Sequence, residues 1–420
     1  MKIINQTYPN GLRSLSVLSK DTQAVTVMFL VAVGSRHEEV GEEGLAHFVE
    51  HTIFKGTSKR PSSKVIGMEI ESLGGSSNAF TSYEYTGYYI KAPAGNFTKT
   101  FDIISDMFQN SIFDENELNK EKGVIIEEIK MYEDRPTSKV SQIWSQNFFQ
   151  DSKLGKEITG SIQSVSDMKR DKFFEFMKKH YYGENILIVV AGNADQSEIE
   201  SLVEKHCMDI PNFQASGNTK KTQTYTDDFN SQPSYSPEKR IILGKDVQQT
   251  HVILGGKSFP KEHPDRYKLQ VVNSLLAEGF GSRLFQVIRD ELGLAYYIYS
   301  RLSSFREVGV FNVGMGVDTK RVDEAIDAVK KELREILDSN FTKEEFERAK
   351  NFLLGNIITD LESSEDIATF YGMQELLQKE THTIEDVKQN ISSVNFDDVY
   401  DIASQVFQED AFYTAILSPK

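Results

Sequence analysis

The stretches FDENELNKEKGVIIEEIKMYED (113–134) and FTKEEFERAKNFLLGNIITDLE (341–362) align with each other without a gap. Both show apolar residues at helical spacing, and both follow mixed strands and helices in their own part of the chain. Because a long segment recurs in the same context, an internal duplication is the simplest explanation. The sequence therefore predicts an α+β fold made of two structurally related α/β-sandwich domains.

The elements on either side of these two stretches also recur in the same order. Each half opens with a β-rich strand, continues with an apolar helix and a tyrosine-rich strand, and closes with a buried-type strand. The matched segments are 24–33 and 251–254, 45–54 and 269–276, 85–90 and 295–299, and 186–191 and 411–417.

A stretch with almost no aliphatic residues, 214–237, separates the two halves. Such a composition is typical of a linker. We therefore place an N-terminal domain at 1–213, a linker at 214–238 and a related C-terminal domain at 239–420.

Composition excludes several classes of protein. Of the 420 residues, 47 are Lys or Arg and 63 are Asp or Glu, which gives a net charge of −16. An acidic surface repels phosphate backbones and anionic lipid, so we expect no nucleic-acid partner and no membrane partner. A single cysteine, Cys207, excludes an internal disulfide framework and a multi-cysteine metal site.

Targeting signals are also missing from this sequence. The longest apolar run, 24–34, has eleven residues, whereas a membrane-spanning helix needs about 20. The first residues, MKIINQTYPNGLRSL, contain neither an apolar signal core nor a transit-peptide composition. We therefore expect a cytoplasmic location of the bacterial type.

The pentapeptide His47-Phe48-Val49-Glu50-His51 carries the clearest chemical signal. It lies in a predicted helix, where residues three and four apart share one face. Two imidazoles at this spacing supply two nitrogen ligands to a zinc ion, and a carboxylate beside them can hold an attacking water. The order H-x-x-E-H is the inverted form of the H-E-x-x-H motif. A helix with two exposed or core-satisfied histidines is the alternative interpretation.

A third zinc ligand is expected from the helix at 116–132, which contains four glutamates. Relative to its apolar stripe, Glu127 lies about 180° away, on the solvent side. Glu121 and Glu128 lie at the edge of the stripe, two turns apart on one line. Helical phase therefore favours Glu128 or Glu121 as the ligand over Glu127, and an ordinary solvated acidic helix remains the alternative.

HFVEH, followed 77 residues after His51 by Glu128 in EKGVIIEEI, resembles the pitrilysin and mitochondrial-processing-peptidase family of zinc peptidases. GGSSNAFTSYEYTGYYI (74–90) is similar to that family's exposed edge strand, on which substrate lies as an added strand. GSRLFQVIRDELGLAYYIYS (281–300) is similar to its second-domain segment with an Arg and a Tyr seven positions apart. The resemblance covers essentially the whole chain, at the length of the short, processing-peptidase-like subunits.

The resemblance implies one Zn2+ ion per chain, held by His47, His51 and Glu128. It implies that Glu50 is the general base and that Glu121 supports catalysis by orienting the ligands or their neighbours. The resemblance further implies that Tyr296 is catalytic and, together with Arg289, contacts the substrate or stabilises the transition state. It implies that Asn78 and Ala79 contact the substrate.

The implied function is a zinc metallo-endopeptidase that cleaves extended or unfolded peptides in a closed chamber. Related longer chains have four such domains, so a chain with two is expected to form a homodimer, with a heterodimer left open. The alternatives are a non-catalytic scaffold subunit and a peptide-binding module of the same fold.

The duplication indicates which half carries the metal. Alignment of the two halves places uncharged side chains opposite every predicted ligand and opposite Glu50. These counterparts are Val271, Ser274, Leu275, Ala349 and Asn356. We therefore expect the second domain to contribute substrate contacts and enclosure, without metal.

Overall fold

The computed structural model of the chain describes residues 1–150, 152–214, 238–378 and 380–420. Apart from its two end residues, the predicted linker lies outside the described residues. In chain order, the strands are β1 (Lys2–Thr7), β2 (Arg13–Leu18), β3 (Ala24–Val31), β4 (Ser76–Thr81), β5 (Thr86–Pro93), β6 (Ile186–Gly192), β7 (Arg240–Lys245), β8 (Thr250–Ser258), β9 (Ala295–Ser304), β10 (Gly309–Val317) and β11 (Tyr413–Pro419).

Helices account for most of the remaining described chain. In chain order, they are α1 (Leu45–Ile53), α2 (Ser63–Ser72), α3 (Phe97–Asn110), α4 (Glu115–Asp134), α5 (Pro136–Phe149), α6 (Ile162–Asp167), α7 (Arg170–His180), α8 (Gln196–Cys207), α9 (Arg266–Ala277), α10 (Val322–Leu337), α11 (Lys343–Thr359), α12 (Ser364–Leu377), α13 (Ile384–Ser392) and α14 (Asp398–Val406). Among the described residues, no helix combines the length and the apolar character that crossing a bilayer requires.

The first compact unit consists of Met1–Lys130, the described part of Lys156–Thr224, and Leu361–Thr381. Its sheet has the order β1-β2-β6-β3-β5-β4, so β4 forms an edge. Neighbouring strands are antiparallel except for the parallel pair β2 and β6. The exposed side of β4 therefore carries backbone groups that no strand of this sheet pairs.

Strand β3 lies in the middle of this sheet and is buried on both faces. On one face, Phe29 packs against Phe101 and Phe108 of α3. On the other, the hydroxyls of Thr26 and Ser364, the first residue of α12, lie 2.8 Å apart. Because side chains alternate between the faces of a strand, burial on both sides requires the continuous apolar run seen in the sequence.

The second unit consists of Met131–Gly155, the described parts of Tyr225–Asp360, and His382–Lys420. Its sheet has the order β7-β11-β8-β10-β9. The predicted α+β class with two related domains is confirmed. The predicted match of the two tyrosine-rich strands is wrong, because β5 is an inner strand whereas β9 takes the edge position that β4 holds in the first sheet.

The compact units differ from the predicted contiguous domains by two exchanged segments. Helix α12, from the second half of the sequence, packs on β3 and β6 of the first sheet, whereas α5, from the first half, packs on β11 and β8 of the second. In the second unit, Trp144 of α5 donates a hydrogen bond to the carbonyl of Tyr413, at 3.0 Å. In each unit, one apolar face of the sheet is thus covered by a helix from the other half of the sequence.

Gly372 lets α12 approach the first sheet closely. A Cβ there would lie 2.8 Å from Cδ1 of Leu30 and 2.9 Å from Cγ2 of Val189. We expect Gly372→Ala to lower the free energy of unfolding by about 1–3 kcal/mol through overpacking. Gly355, an exposed glycine of α11 with nothing near its would-be Cβ, is the matched control.

Chemical denaturation followed by circular dichroism measures both variants. Gly355→Ala should be neutral or stabilising by up to about 1 kcal/mol, because alanine has the higher helix propensity. Equal effects of the two substitutions would contradict the close packing of α12 on the sheet.

Candidate metal site

Helix α1 presents the H-x-x-E-H motif because its other face is anchored in the core. Leu45, Phe48 and Val49 are completely buried. The helix starts after Gly44, which has a φ of 92°, and the carboxylate of Glu38 accepts the backbone N–H groups of Gly44 and Ala46 at 2.9 and 2.8 Å. Burial raises the pKa of this carboxyl to about 8, and its oxygens satisfy two backbone donors that the start of the helix leaves unpaired.

Helix α4 carries the glutamates that were predicted as candidates for the third metal ligand. Leu118, Ile125 and Ile129 are buried along its apolar stripe. Glu121 is buried and Glu128 is half-buried, whereas the carboxylate of Glu127 is exposed and binds Lys130 at 2.7 Å. The structure therefore places Glu121 and Glu128, and not Glu127, on the side of the helix that meets α1.

Three donor atoms of His47, His51 and Glu128 converge at one point. The two Nε2 atoms are 3.2 Å apart, and Oε2 of Glu128 lies 3.6 Å from Nε2 of His47 and 3.5 Å from Nε2 of His51. Ligands about 2.0–2.1 Å from a tetrahedral zinc ion lie about 3.3–3.4 Å from one another. The triangle fits a zinc ion with a fourth position left for water or substrate. Among the described residues, this is the one group of three or more such donors close enough to share a metal.

The other nitrogens of the two imidazoles have different surroundings. Nδ1 of His51 lies 2.9 Å from Oε1 of Glu121, and Oε2 of Glu121 accepts an ion pair from Lys55 at 2.7 Å. Nδ1 of His47 has no hydrogen-bond partner among the described residues. A carboxylate on Nδ1 fixes the ring so that Nε2 faces the metal, and only His51 has this support.

Burial and the neighbouring carboxylates set the charges of these groups. Burial, with a smaller contribution from His51, lowers the pKa of His47 to about 3. His47 is therefore neutral near pH 7, the form that binds a metal. Burial alone would lower the pKa of His51, but the hydrogen bond to Glu121 and the nearby carboxylates raise it. Conversely, burial would raise the pKa of Glu121, but its contacts with His51 and Lys55 lower it.

Glu50 lies on the same helix and is held by the edge strand. The hydroxyl of Thr81, the last residue of β4, donates a hydrogen bond to Oε2 of Glu50 at 2.7 Å. Burial raises the pKa of Glu50 above its ordinary value, although the bond from Thr81 lowers it. Asn78 and Ala79 belong to the same strand, with Asn78 exposed. The general-base candidate and the candidate peptide-binding edge are therefore linked by a direct hydrogen bond.

The contacts of Lys55 and Thr81 were not predicted from the sequence. Lys55 follows His51 by four residues and continues the line of His47 and His51, a spacing that could have drawn attention to it. Thr81 lies inside the quoted edge-strand segment, but only the fold shows that its side chain meets Glu50.

Arg289 and Tyr296 belong to the second unit. Arg289 lies in the π-helical segment Phe285–Glu291, with its guanidinium 4.6 Å from the ring centre of Phe285. Tyr296 is 74% exposed near the start of β9, so it is not a core aromatic. Their contacts with substrate stay a prediction.

The second unit repeats the helix pair without its chemistry. Ser274 of α9 and Ala349 of α11, the counterparts of Glu50 and Glu121, are buried and in contact, with the Ser274 hydroxyl 3.0 Å from the Ala349 carbonyl. The counterparts of His47 and His51, Val271 and Leu275, are completely buried. Residues without metal-binding side chains, joined by one hydrogen bond between a hydroxyl and a backbone carbonyl, thus replace the donor cluster.

Two models of known protein families together match most of the chain. The sequence model of insulinase (peptidase family M16) matches residues 14–161, and that of the peptidase M16 inactive domain matches residues 167–353. The chain belongs to peptidase family M16. The resemblance to the pitrilysin and processing-peptidase family is therefore confirmed, and the stretch that matches the inactive-domain model, 167–353, contains none of the predicted metal ligands.

Relatives of this M16 chain cover nearly all of it. It is 33% identical to the uncharacterized zinc protease YmxG of Bacillus subtilis over 98% of this chain and 97% of that protein. It is 31% identical to an uncharacterized zinc protease of Streptomyces coelicolor over 95% of this chain and 86% of that protein. The crystal structure of a protease from Helicobacter pylori superposes with a TM-score of 0.88 at 24% identity, covering 100% of this chain and 99% of that chain, which shows the shared fold.

The geometry distinguishes two adjacent glutamates. We expect Glu128→Gln to lower the zinc content of the purified protein well below one ion per chain, because an amide oxygen is a weaker ligand than a carboxylate. Glu127→Gln, whose carboxylate binds Lys130 at the surface, should keep the wild-type zinc content. Elemental analysis measures both, and loss of zinc from the Glu127 variant alone would contradict the assignment.

Proposed function

We propose that this chain is a zinc metallo-endopeptidase that hydrolyses peptide bonds in extended or unfolded peptides. The observation that carries the proposal is the triangle of His47, His51 and Glu128 beside Glu50, which is hydrogen-bonded to the edge strand β4. The names of the relatives, which are zinc proteases, support the same reaction class.

His47, His51 and Glu128 would hold the metal. A zinc ion bound there supplies a Lewis acid that polarises the scissile carbonyl and lowers the pKa of a water molecule. The protein contributes a neutral His47, a His51 oriented by Glu121, and one carboxylate ligand.

Glu50 acts on the proton of the attacking water. As the general base it would take that proton and pass it to the leaving amine, while the Thr81 hydroxyl holds its Oε2 in place. Burial raises the pKa of this carboxyl towards the working pH, which suits a group that both accepts and returns a proton.

The substrate would bind by adding a strand to β4. An edge strand offers unpaired N–H and C=O groups, and a peptide must be extended to pair with them. Asn78 and Ala79 would contact such a peptide, and the Thr81 contact would keep its scissile bond near Glu50. This requirement for an extended chain supports unfolded peptides as the substrate class. The relatives named above are bacterial, which supports a bacterial enzyme, and its cytoplasmic location stays a prediction.

We expect Glu50→Gln to slow cleavage strongly while the protein keeps about one zinc ion per chain. The amide cannot accept the proton of the water, whereas the three proposed ligands remain, so the rate should fall by about 10²–10⁴-fold. Digestion of a mixed peptide library with mass-spectrometric readout measures cleavage, and elemental analysis measures zinc.

Chelator-treated wild-type protein, with and without zinc added back, is the control. Cleavage by Glu50→Gln at the wild-type rate would overturn the general-base role. Wild-type protein that holds zinc and binds peptides without cleaving them would instead be a peptide-binding module. Protein without zinc or peptide binding would be a scaffold subunit.

We further propose that two copies of the chain form a homodimer with a closed chamber. In this arrangement, Arg289 and Tyr296 of one chain complete the zinc site of its partner. The resemblance to longer four-domain chains and the exposure of the Tyr296 side chain support this proposal. Two-fold dimers are also the commonest closed assemblies.

Complementation tests the shared site. Glu50→Gln and Tyr296→Phe chains with different tags are co-expressed, and mixed dimers are purified through both tags. Each variant alone should be nearly inactive, whereas the mixed dimer should recover about half of the wild-type activity, because one of its two sites contains no substitution. No recovery, or full activity from a protein that sediments as a monomer, would contradict the shared site.

A further inference from the structure

Lys55 stands next to the metal site without a role in the mechanism above. It follows His47 and His51 at four-residue steps, just after the last residue of α1, and its backbone N–H bonds to the carbonyl of Thr52 at 3.0 Å. Its Nζ lies 2.7 Å from Oε2 of Glu121. The end of the helix thus directs a positive charge to the carboxylate that supports His51.

The carboxylate of Glu121 is shared between two partners. Oε1 meets Nδ1 of His51 at 2.9 Å while Oε2 meets Lys55, and the Glu121 side chain is only 7% exposed. A carboxylate withdrawn from water needs charged or hydrogen-bonding partners to stay ionised and in place. The orientation of Glu121 therefore depends on Lys55 as well as on His51.

We propose that Lys55 is a positioning residue for the metal site, which holds the Glu121 carboxylate where it accepts the Nδ1–H of His51. The inference rests on the proposed function, because it assumes that His51 binds the metal through Nε2. Substitution of a residue that orients a metal ligand without binding the metal itself typically lowers metal affinity by about 10–100-fold.

His51 needs this support more than His47 does. The side chain of His51 is 20% exposed, against 10% for His47. A more open ring depends more on its hydrogen bond for orientation. Lys55 contacts Glu121, and Glu121 in turn forms that hydrogen bond with His51.

Charge repulsion between Lys55 and the zinc ion would have the opposite effect on zinc affinity. Lys55 is a cation near a cation site, so its removal would strengthen zinc binding if long-range repulsion dominated. The ion pair with Glu121 offsets that charge, and loss of the contact frees the carboxylate to leave Nδ1 of His51. We therefore expect positioning to dominate and zinc affinity to fall when the ammonium group is removed.

The dissociation constant of zinc, measured by competition with a chromophoric chelator, tests the inference. Lys55→Met should weaken zinc binding about 10-fold, and Lys55→Arg, which keeps the ion pair, should restore most of the affinity. Lys120→Met, which removes an exposed ammonium paired with Glu117, should leave the affinity unchanged. Lys55→Gln repeats the test if the methionine variant does not fold, as judged by circular dichroism. Unchanged or tighter binding by the folded Lys55 variants would overturn the inference.

A double-mutant cycle tests whether Lys55 acts through Glu121. In a Glu121→Gln background, Lys55→Met should weaken zinc binding less than 2-fold, because the contact it depends on is already gone. An equal loss in both backgrounds would show that Lys55 acts independently of Glu121 and overturn the positioning role.

The wild-type measurement separates this inference from the proposed function. Wild-type protein that binds no zinc would overturn the metal site and, with it, the inference. Tight binding by wild type together with unchanged binding by folded Lys55→Met would overturn only the role of Lys55.

Discussion

The packing of α1 against α4 is the constraint on which the site depends. It brings two imidazole nitrogens and one carboxylate oxygen to within 3.2–3.6 Å of one another. Without a cation, burial keeps His47 neutral, whereas the neighbouring carboxylates favour the protonated form of His51. A metal ion would need both rings deprotonated and would supply the positive charge that these carboxylates attract. The same helix face carries Glu50, so the position of the proposed general base follows from the packing that brings the three donors together.

The duplication shows how such a site is confined to one half of a chain. In the second unit, α9 and α11 repeat the contact with Ser274 against Ala349, and the positions of the two histidines hold buried Val271 and Leu275. The fold therefore does not require the donors, since residues without metal-binding side chains support an equivalent helix contact. The donors of the first unit, which place polar groups in a largely buried position, are explained by chemistry and not by stability.

Local periodicity predicted much of this arrangement. The phase of α4 separates Glu128 and Glu121 from Glu127, and the i, i+4 spacing of His47 and His51 defines a shared face. The exchange of α5 and α12 between the two sheets, the edge position of β9, and the contacts of Lys55 and Thr81 could not be predicted in this way. Each depends on residues that are distant in sequence, as with Thr81 and Glu50 or Gly372 and Leu30, and helical or strand periodicity carries no information about such pairs.

The convergence of the three donor atoms predicts a zinc site that forms before any substrate binds. An anomalous difference map at the zinc absorption edge, from crystals of the wild-type protein grown with zinc, tests it most directly. We expect one strong peak per chain, about 2.0–2.2 Å from Nε2 of His47, Nε2 of His51 and an oxygen of Glu128. A map with no peak inside this triangle, or with zinc bound to other residues in its place, would contradict it.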